Sequence, residues 1–118
     1  MNTIIDLTSR EADFCQAYFE AIDFTEEDCY FDINSGLDKT FERESMIDCL
    51  SFYNRIACYL SDDRIEEAGQ EFWFTRNGHG TGFWDNDDWG KYKAMFTARA
   101  EDYGQVDAVY NELLKEEA

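Results

Sequence analysis

An excess of acid most constrains what this chain can fold into: 27 Asp and Glu side chains against 10 Lys and Arg, a formal net charge of −17. Such a chain becomes compact only if apolar burial outweighs the mutual repulsion of its surface. The means are present, with ten Phe, seven Tyr and three Trp, and no Pro. Disordered acidic segments are poor in aromatics and rich in Pro, so here the acids are expected to coat a real core. At this length the chain is read as one domain, residues 1–118. A domain of this size is about 35 Å across, and ~35 Å of duplex DNA carries about 20 charges. The formal charge of the chain is therefore close to that of a DNA segment of its own length. Either the acids gather on one face or they spread evenly and serve solubility; composition allows both. A salt-adapted protein would also be acidic and poor in lysine, but the many large aromatics and four cysteines make that account less natural.

The N-terminal run Met1-Asn2-Thr3-Ile4-Ile5-Asp6 has neither a basic region nor a long apolar stretch, so no secretion signal is expected. No segment approaches the ~20 apolar residues of a membrane span. Cys15, Cys29, Cys49 and Cys58 form no Cys-x-x-Cys pair and are too widely spaced for a zinc site. They are expected to be reduced and mostly buried, in a cytoplasmic protein.

Periodicity outlines the elements. Thr8 or Ser9 can cap a first helix, with Glu11 where a Thr8 capping box needs it. Phe14, Tyr18 and Ile22 then make one apolar face, flanked by Cys15 and Phe19, to an end near Asp23-Phe24. Residues 24–39 read as a loop. Asp38 or Thr40 opens a second helix, to about Leu60, on an apolar set of Phe41, Met46, Ile47, Leu50, Tyr53, Ile56, Ala57 and Leu60. Residues 64–68 add a further turn before Gly69. The aromatic run Phe72-Trp73-Phe74-Thr75 favours a strand. Asn77-Gly78-His79-Gly80-Thr81-Gly82 reads as a turn and Phe83-Trp84 as the returning strand, a β-hairpin. Asp85-Asn86-Asp87-Asp88 can cap a third helix, residues 89–102, with Gly104 as its stop. Residues 106–110 are a strand or a helix start, and residues 112–116 look helical. The expected fold is α+β: two N-terminal helices, a small antiparallel sheet of hairpin plus edge strand, and a third helix.

No enzyme site emerges. His79 is the sole histidine, set between glycines, which excludes a histidine pair. The glycines lead into a predicted strand without the Gly-Lys-Ser/Thr of a phosphate loop. Counted from Asp85, calcium-loop positions 5 and 12 are Trp89 and Phe96, which supply no carboxylate. Adjacent acids are so frequent that no carboxylate pair stands out. No metal, cofactor or catalytic residue is expected, and direct nucleic-acid binding is disfavoured by charge.

Residues 71–85, Glu-Phe-Trp-Phe-Thr-Arg-Asn-Gly-His-Gly-Thr-Gly-Phe-Trp-Asp, resemble a signature of small phage and mobile-element proteins, Phe-Trp-x-Thr-Arg-Asn-Gly-His-Gly-x-Gly-Phe-Trp-Asp. Gly104-Gln105-Val106-Asp107 fits the Gly-x-Val-Asp segment that follows in those relatives, which favours a strand for residues 106–110. The resemblance covers roughly residues 40–110 and implies origin more than activity. Trp73, Thr75, Arg76, Asn77, Gly78, His79, Gly80, Gly82 and Trp84 carry it and are taken as structural. Size, charge and the lack of a catalytic set are similar to DNA-mimic anti-restriction and anti-CRISPR proteins, a class held together by charge.

The resemblance implies a phage-encoded inhibitor of a host DNA-targeting defence complex, whose acids occupy the basic channel meant for DNA in the host cytoplasm. The candidate phosphate mimics are Glu26, Glu27, Asp28, Asp32, Asp62, Asp63, Glu66, Glu67, Asp85, Asp87 and Asp88. The partner would be a basic nucleic-acid-binding complex, a CRISPR effector foremost, with no membrane involved. The alternative is a phage accessory protein that binds a host enzyme or small ligand through the glycine-rich hairpin 75–85.

Overall fold

The computed structural model describes residues 8–25, 37–78 and 80–109, apart from the side chains of Phe24 and Thr25. Among these residues four α-helices run in chain order: α1 (Ser9–Thr25), α2 (Lys39–Ile56), α3 (Ile65–Asn77) and α4 (Lys93–Glu101). Short 3₁₀ turns at Ala57–Tyr59 and Asp62–Arg64 join α2 to α3, and others at Phe83–Asp85 and Asp87–Tyr92 join α3 to α4. Among the described residues no helix is long and apolar enough to cross a membrane.

Local chemistry sets the first two starts. Thr8 and Glu11 form a reciprocal capping box: the Glu11 N–H donates to Thr8 Oγ1 at 3.1 Å and the Thr8 N–H to Glu11 Oε1 at 3.0 Å. Asp38 caps α2, its Oδ2 accepting from the Thr40 and Phe41 N–H groups, each at 3.0 Å. Helix α1 buries Phe14, Tyr18 and Ile22 completely and packs chiefly on α3. Helix α2 turns a different face inward from the one its large residues suggest. Phe41, Ser45, Cys49, Phe52, Tyr53 and Ile56 are buried, whereas Ile47 is 58% exposed. The small Ser45 and Cys49 pass unnoticed as core residues, yet they lie against Tyr18 and Cys15 of α1.

The expected α+β architecture is overturned. No strand occurs among the described residues; only Leu37 is an isolated bridge residue, and the Asp38 N–H donates to the Val109 carbonyl at 2.7 Å. The aromatic run 72–75 belongs to α3, so the described residues of 72–84 form no hairpin. Ile65, Ala68, Phe72, Thr75 and Arg76 are buried along one helical face, and this 3.6-residue period outranks the β-preference of three aromatics, which depends on context. Gly69 conceals the pattern because it reads as a stop. In fact α1 and α3 touch there: a Cβ at Gly69 would collide with the Phe14 carbonyl oxygen and lie 3.1 Å from the Ala17 Cβ. Asn77-Gly78 ends a helix instead of turning a hairpin. Gly78 takes the left-handed conformation (φ 65°, ψ 42°) and its N–H bonds back to the Phe74 and Thr75 carbonyls. The edge strand at 106–110 is likewise absent: residues 104–109 carry no regular structure, and Tyr110 and residues 112–116 lie outside the described residues.

The core is aromatic. Phe52 and Phe72 stack at 4.3 Å with planes 10° apart, and Phe14, Tyr18 and Tyr103 surround them. Phe83, Trp89 and Phe96 form a second group, edge to face at 5.3–5.6 Å, which Phe83 joins to Phe52 at 5.7 Å. The connection after α3 is therefore as much core as the helices are.

Candidate functional site

Residues 73–77 and 82–83 pack against one another, most of them turned inward. Trp73, Thr75 and Arg76 are buried at 1%, 4% and 3% exposure. Thr75 Oγ1 accepts the Phe83 N–H at 2.9 Å, which folds the glycine-rich stretch back onto α3. The Asn77 side chain donates to the Trp73 carbonyl at 3.1 Å and accepts the Val106 N–H at 2.8 Å. Arg76 spreads its guanidinium over four partners. Nε donates to the Gly104 carbonyl at 2.8 Å, Nη2 to the Tyr103 carbonyl at 2.9 Å, and Nη1 to the Tyr18 hydroxyl at 3.1 Å and to Asp48 Oδ2, also at 3.1 Å. Burial pushes the Tyr18 hydroxyl well above its ordinary titration range. These side chains spend their polar groups on the fold. Gly82 is buried against Thr75, Gly80 is exposed, and Trp84 is 46% exposed. His79 lies outside the described residues.

The candidate acids divide into two described groups and one undescribed. Glu26, Glu27, Asp28 and Asp32 lie outside the described residues. Asp62, Asp63, Glu66 and Glu67 sit at the start of α3, and Asp85, Asp87 and Asp88 follow it around the 3₁₀ turns. Although about 20 residues apart in sequence, these two groups meet. Arg64 Nη1 donates to the Asp88 carbonyl at 2.9 Å, and Asn86 Nδ2 donates to Glu67 at 2.8 Å. All of these acids are exposed except the half-buried Glu67. Several already have cationic partners: Asp62 pairs with Arg10 at 3.2 Å, Glu67 with Arg64 at 2.9 Å and Asp87 with Lys93 at 2.6 Å. Asp85 works locally, its Oδ1 accepting the Gly82 N–H at 3.0 Å. Asp63, Glu66 and Asp88 form no ion pair among the described residues.

Behind the acids lies a cluster that composition conceals. Arg64 sits 3.7 Å over the Trp89 ring. Trp89 Nε1 donates to Glu71 Oε1 at 2.7 Å, and Asn86 Nδ2 reaches Glu71 Oε2 at 2.8 Å. Burial raises the Glu71 carboxyl above its ordinary 4.5, although the Asn86 and Trp89 hydrogen bonds pull the other way. A carboxyl raised by folding adds stability below its unfolded pKa, and that stability is lost as pH rises through the folded value. The stability of the native chain relative to Glu71→Gln should therefore fall as pH climbs from about 4.5 through the weakly acid range. Urea midpoints across that range check it; a flat difference would remove Glu71 as the cause.

Two buried thiols, Cys15 and Cys49, meet between α1 and α2. Burial pushes the Cys49 thiol well up, while its hydrogen bond with Cys15 lowers the latter. Among the described residues no group of three or more His, Cys, Asp or Glu side chains could hold a metal. No family model, curated protein or solved structure matches the chain.

Proposed function

We propose that the protein is a phage-encoded inhibitor of a host DNA-targeting defence complex, of the anti-CRISPR type, acting as an acidic DNA mimic without turnover. One observation carries the reading: two acid groups far apart in sequence are tied together through Arg64–Asp88 and Asn86–Glu67. The result is a joint acidic neighbourhood at the start of α3 instead of two isolated runs. Asn86 and Trp89 fasten the turn that carries the second group to Glu71 of α3. Like charges held close repel one another, and a basic channel shaped for phosphates relieves that repulsion on binding.

The unpaired acids make the cleanest test. The triple variant Asp63→Asn, Glu66→Gln, Asp88→Asn keeps shape and leaves the paired Asp62, Glu67 and Asp87 intact. Inhibition of target-DNA binding by a susceptible complex at low salt should weaken by roughly 10-fold in this variant. Raising salt should weaken the native protein in the same direction. The reading fails if the native protein relieves no defence complex of its DNA at low salt, or if the triple variant inhibits as well as the native chain.

A further inference from the structure

Trp84 stands apart from the other two tryptophans. Trp73 and Trp89 are 1% and 4% exposed, whereas Trp84 is 46% exposed. Its position is held on both sides. The Phe83 N–H is bonded to Thr75, the Gly82 N–H to the Asp85 carboxylate, and the Asn86 N–H to the Phe83 carbonyl at 3.3 Å. An aromatic ring displayed on fixed backbone loses little freedom on binding, which is what interface anchors require.

Beside Trp84 runs a groove of about 430 Å³ along α4, lined also by Lys93, Ala94, Thr97, Ala98 and Glu101. The exposed Ala94 and Ala98 give its floor small apolar side chains. Its two charged lining residues are Lys93 and Glu101. Lys93 is paired with Asp87 at 2.6 Å, whereas Glu101 forms no ion pair among the described residues. The unpaired Glu101 carboxylate favours a cation as the occupant.

The molecule contains a template for the occupant. Arg64 lies 3.7 Å over Trp89 while its guanidinium pairs with Glu67 at 2.9 Å. Trp84 and Glu101 line one groove and bring to it the same two side-chain types, an indole and a carboxylate. Arginine suits the site better than lysine: its flat guanidinium stacks on indole and forks onto a carboxylate, and its methylenes cover apolar floor. We propose that the Trp84–α4 groove anchors the partner by taking an arginine side chain from its basic surface. The inference rests on the reading of the protein as a ligand of a basic protein, and it adds the point at which specificity exceeds bulk charge.

Nona-arginine and nona-lysine, equal in charge, serve as probes, with the Trp84 indole N–H signal in NMR as the local readout. The native protein should bind nona-arginine about two- to five-fold tighter than nona-lysine, with the Trp84 signal shifting. Trp84→Leu and Trp84→Ala should each abolish that preference, losing more nona-arginine than nona-lysine affinity; Glu101→Gln should reduce it. Equal binding of both peptides, or a preference that survives in Trp84→Leu, overturns the groove proposal while the acidic-mimic reading stands. Binding of neither peptide at low salt overturns both. A dimer in sedimentation that Trp84→Leu converts to monomer also overturns the proposal, since a second copy would then fill the groove.

Discussion

Arg76→Ala should destabilise the protein by about 3 kcal/mol, at the lower end for breaking a buried ion pair. The lower end applies because Asp48, one of the four partners, is one-third exposed and water takes over its solvation, whereas the Arg76 side chain is 1% exposed. The larger loss comes from the Tyr103 and Gly104 carbonyls and the Tyr18 hydroxyl, which the variant leaves without their donor. Arg76→Lys keeps the charge but has three donors on a single atom for four acceptors spread around the guanidinium plane, and roughly half of the loss should remain. Urea denaturation of the three proteins decides the matter. An alanine variant as stable as the native chain would mean that Arg76 does not hold the fold, and would reopen it as a ligand-binding residue.

Phe72→Ala should cost about 3–5 kcal/mol, the range for truncating a fully buried phenylalanine. Phe72 is 0% exposed and touches rings from three other parts of the chain. It stacks on Phe52 of α2 at 4.3 Å, meets Phe14 and Tyr18 of α1 at 6.2 and 5.4 Å, and takes Tyr103 edge-on at 5.4 Å. The Arg76 guanidinium also lies 5.3 Å from its centroid, so the two substitutions are coupled and their costs should not add. Phe72→Leu should lose distinctly less than the alanine variant. Thermal melts and denaturant midpoints of both variants test this, and near-equal losses for leucine and alanine would argue against ring stacking as the source.

Legibility in the sequence followed the range of the interactions. Helix α1 could be read because its signals are local: the Thr8–Glu11 box and the Phe14, Tyr18, Ile22 spacing need nothing from elsewhere. The start of α2 at Asp38 is equally local. Helix α3 could not be read, because its deciding residue is Gly69, whose role exists only when Phe14 of another helix lies against it. Without that contact a glycine before three aromatics looks like the end of one element and the start of a strand. The inward face of α2 failed for a related reason, since Ser45 and Cys49 are core only by virtue of the α1 side chains that cover them. In the candidate site, acidic groups could be named from the sequence but their meeting could not. It depends on Arg64 reaching a carbonyl 24 residues away and on Asn86 reaching back 19. Glu71 was passed over among so many acids, and only its bonds to Asn86 and Trp89 set it apart.

The bonds from Arg76 to Tyr103 and Gly104, and from Asn77 to Val106, set a timetable for the growing chain on the ribosome. Helices α1 and α3 can meet once residue 77 has emerged, but the guanidinium enclosed between them must wait for carbonyls 27 and 28 residues further on. Until then the paired helices shelter a cation whose chief acceptors have not been made. The set of Arg76 acceptors is thus completed only when residue 104 has emerged, after all four described helices have been made.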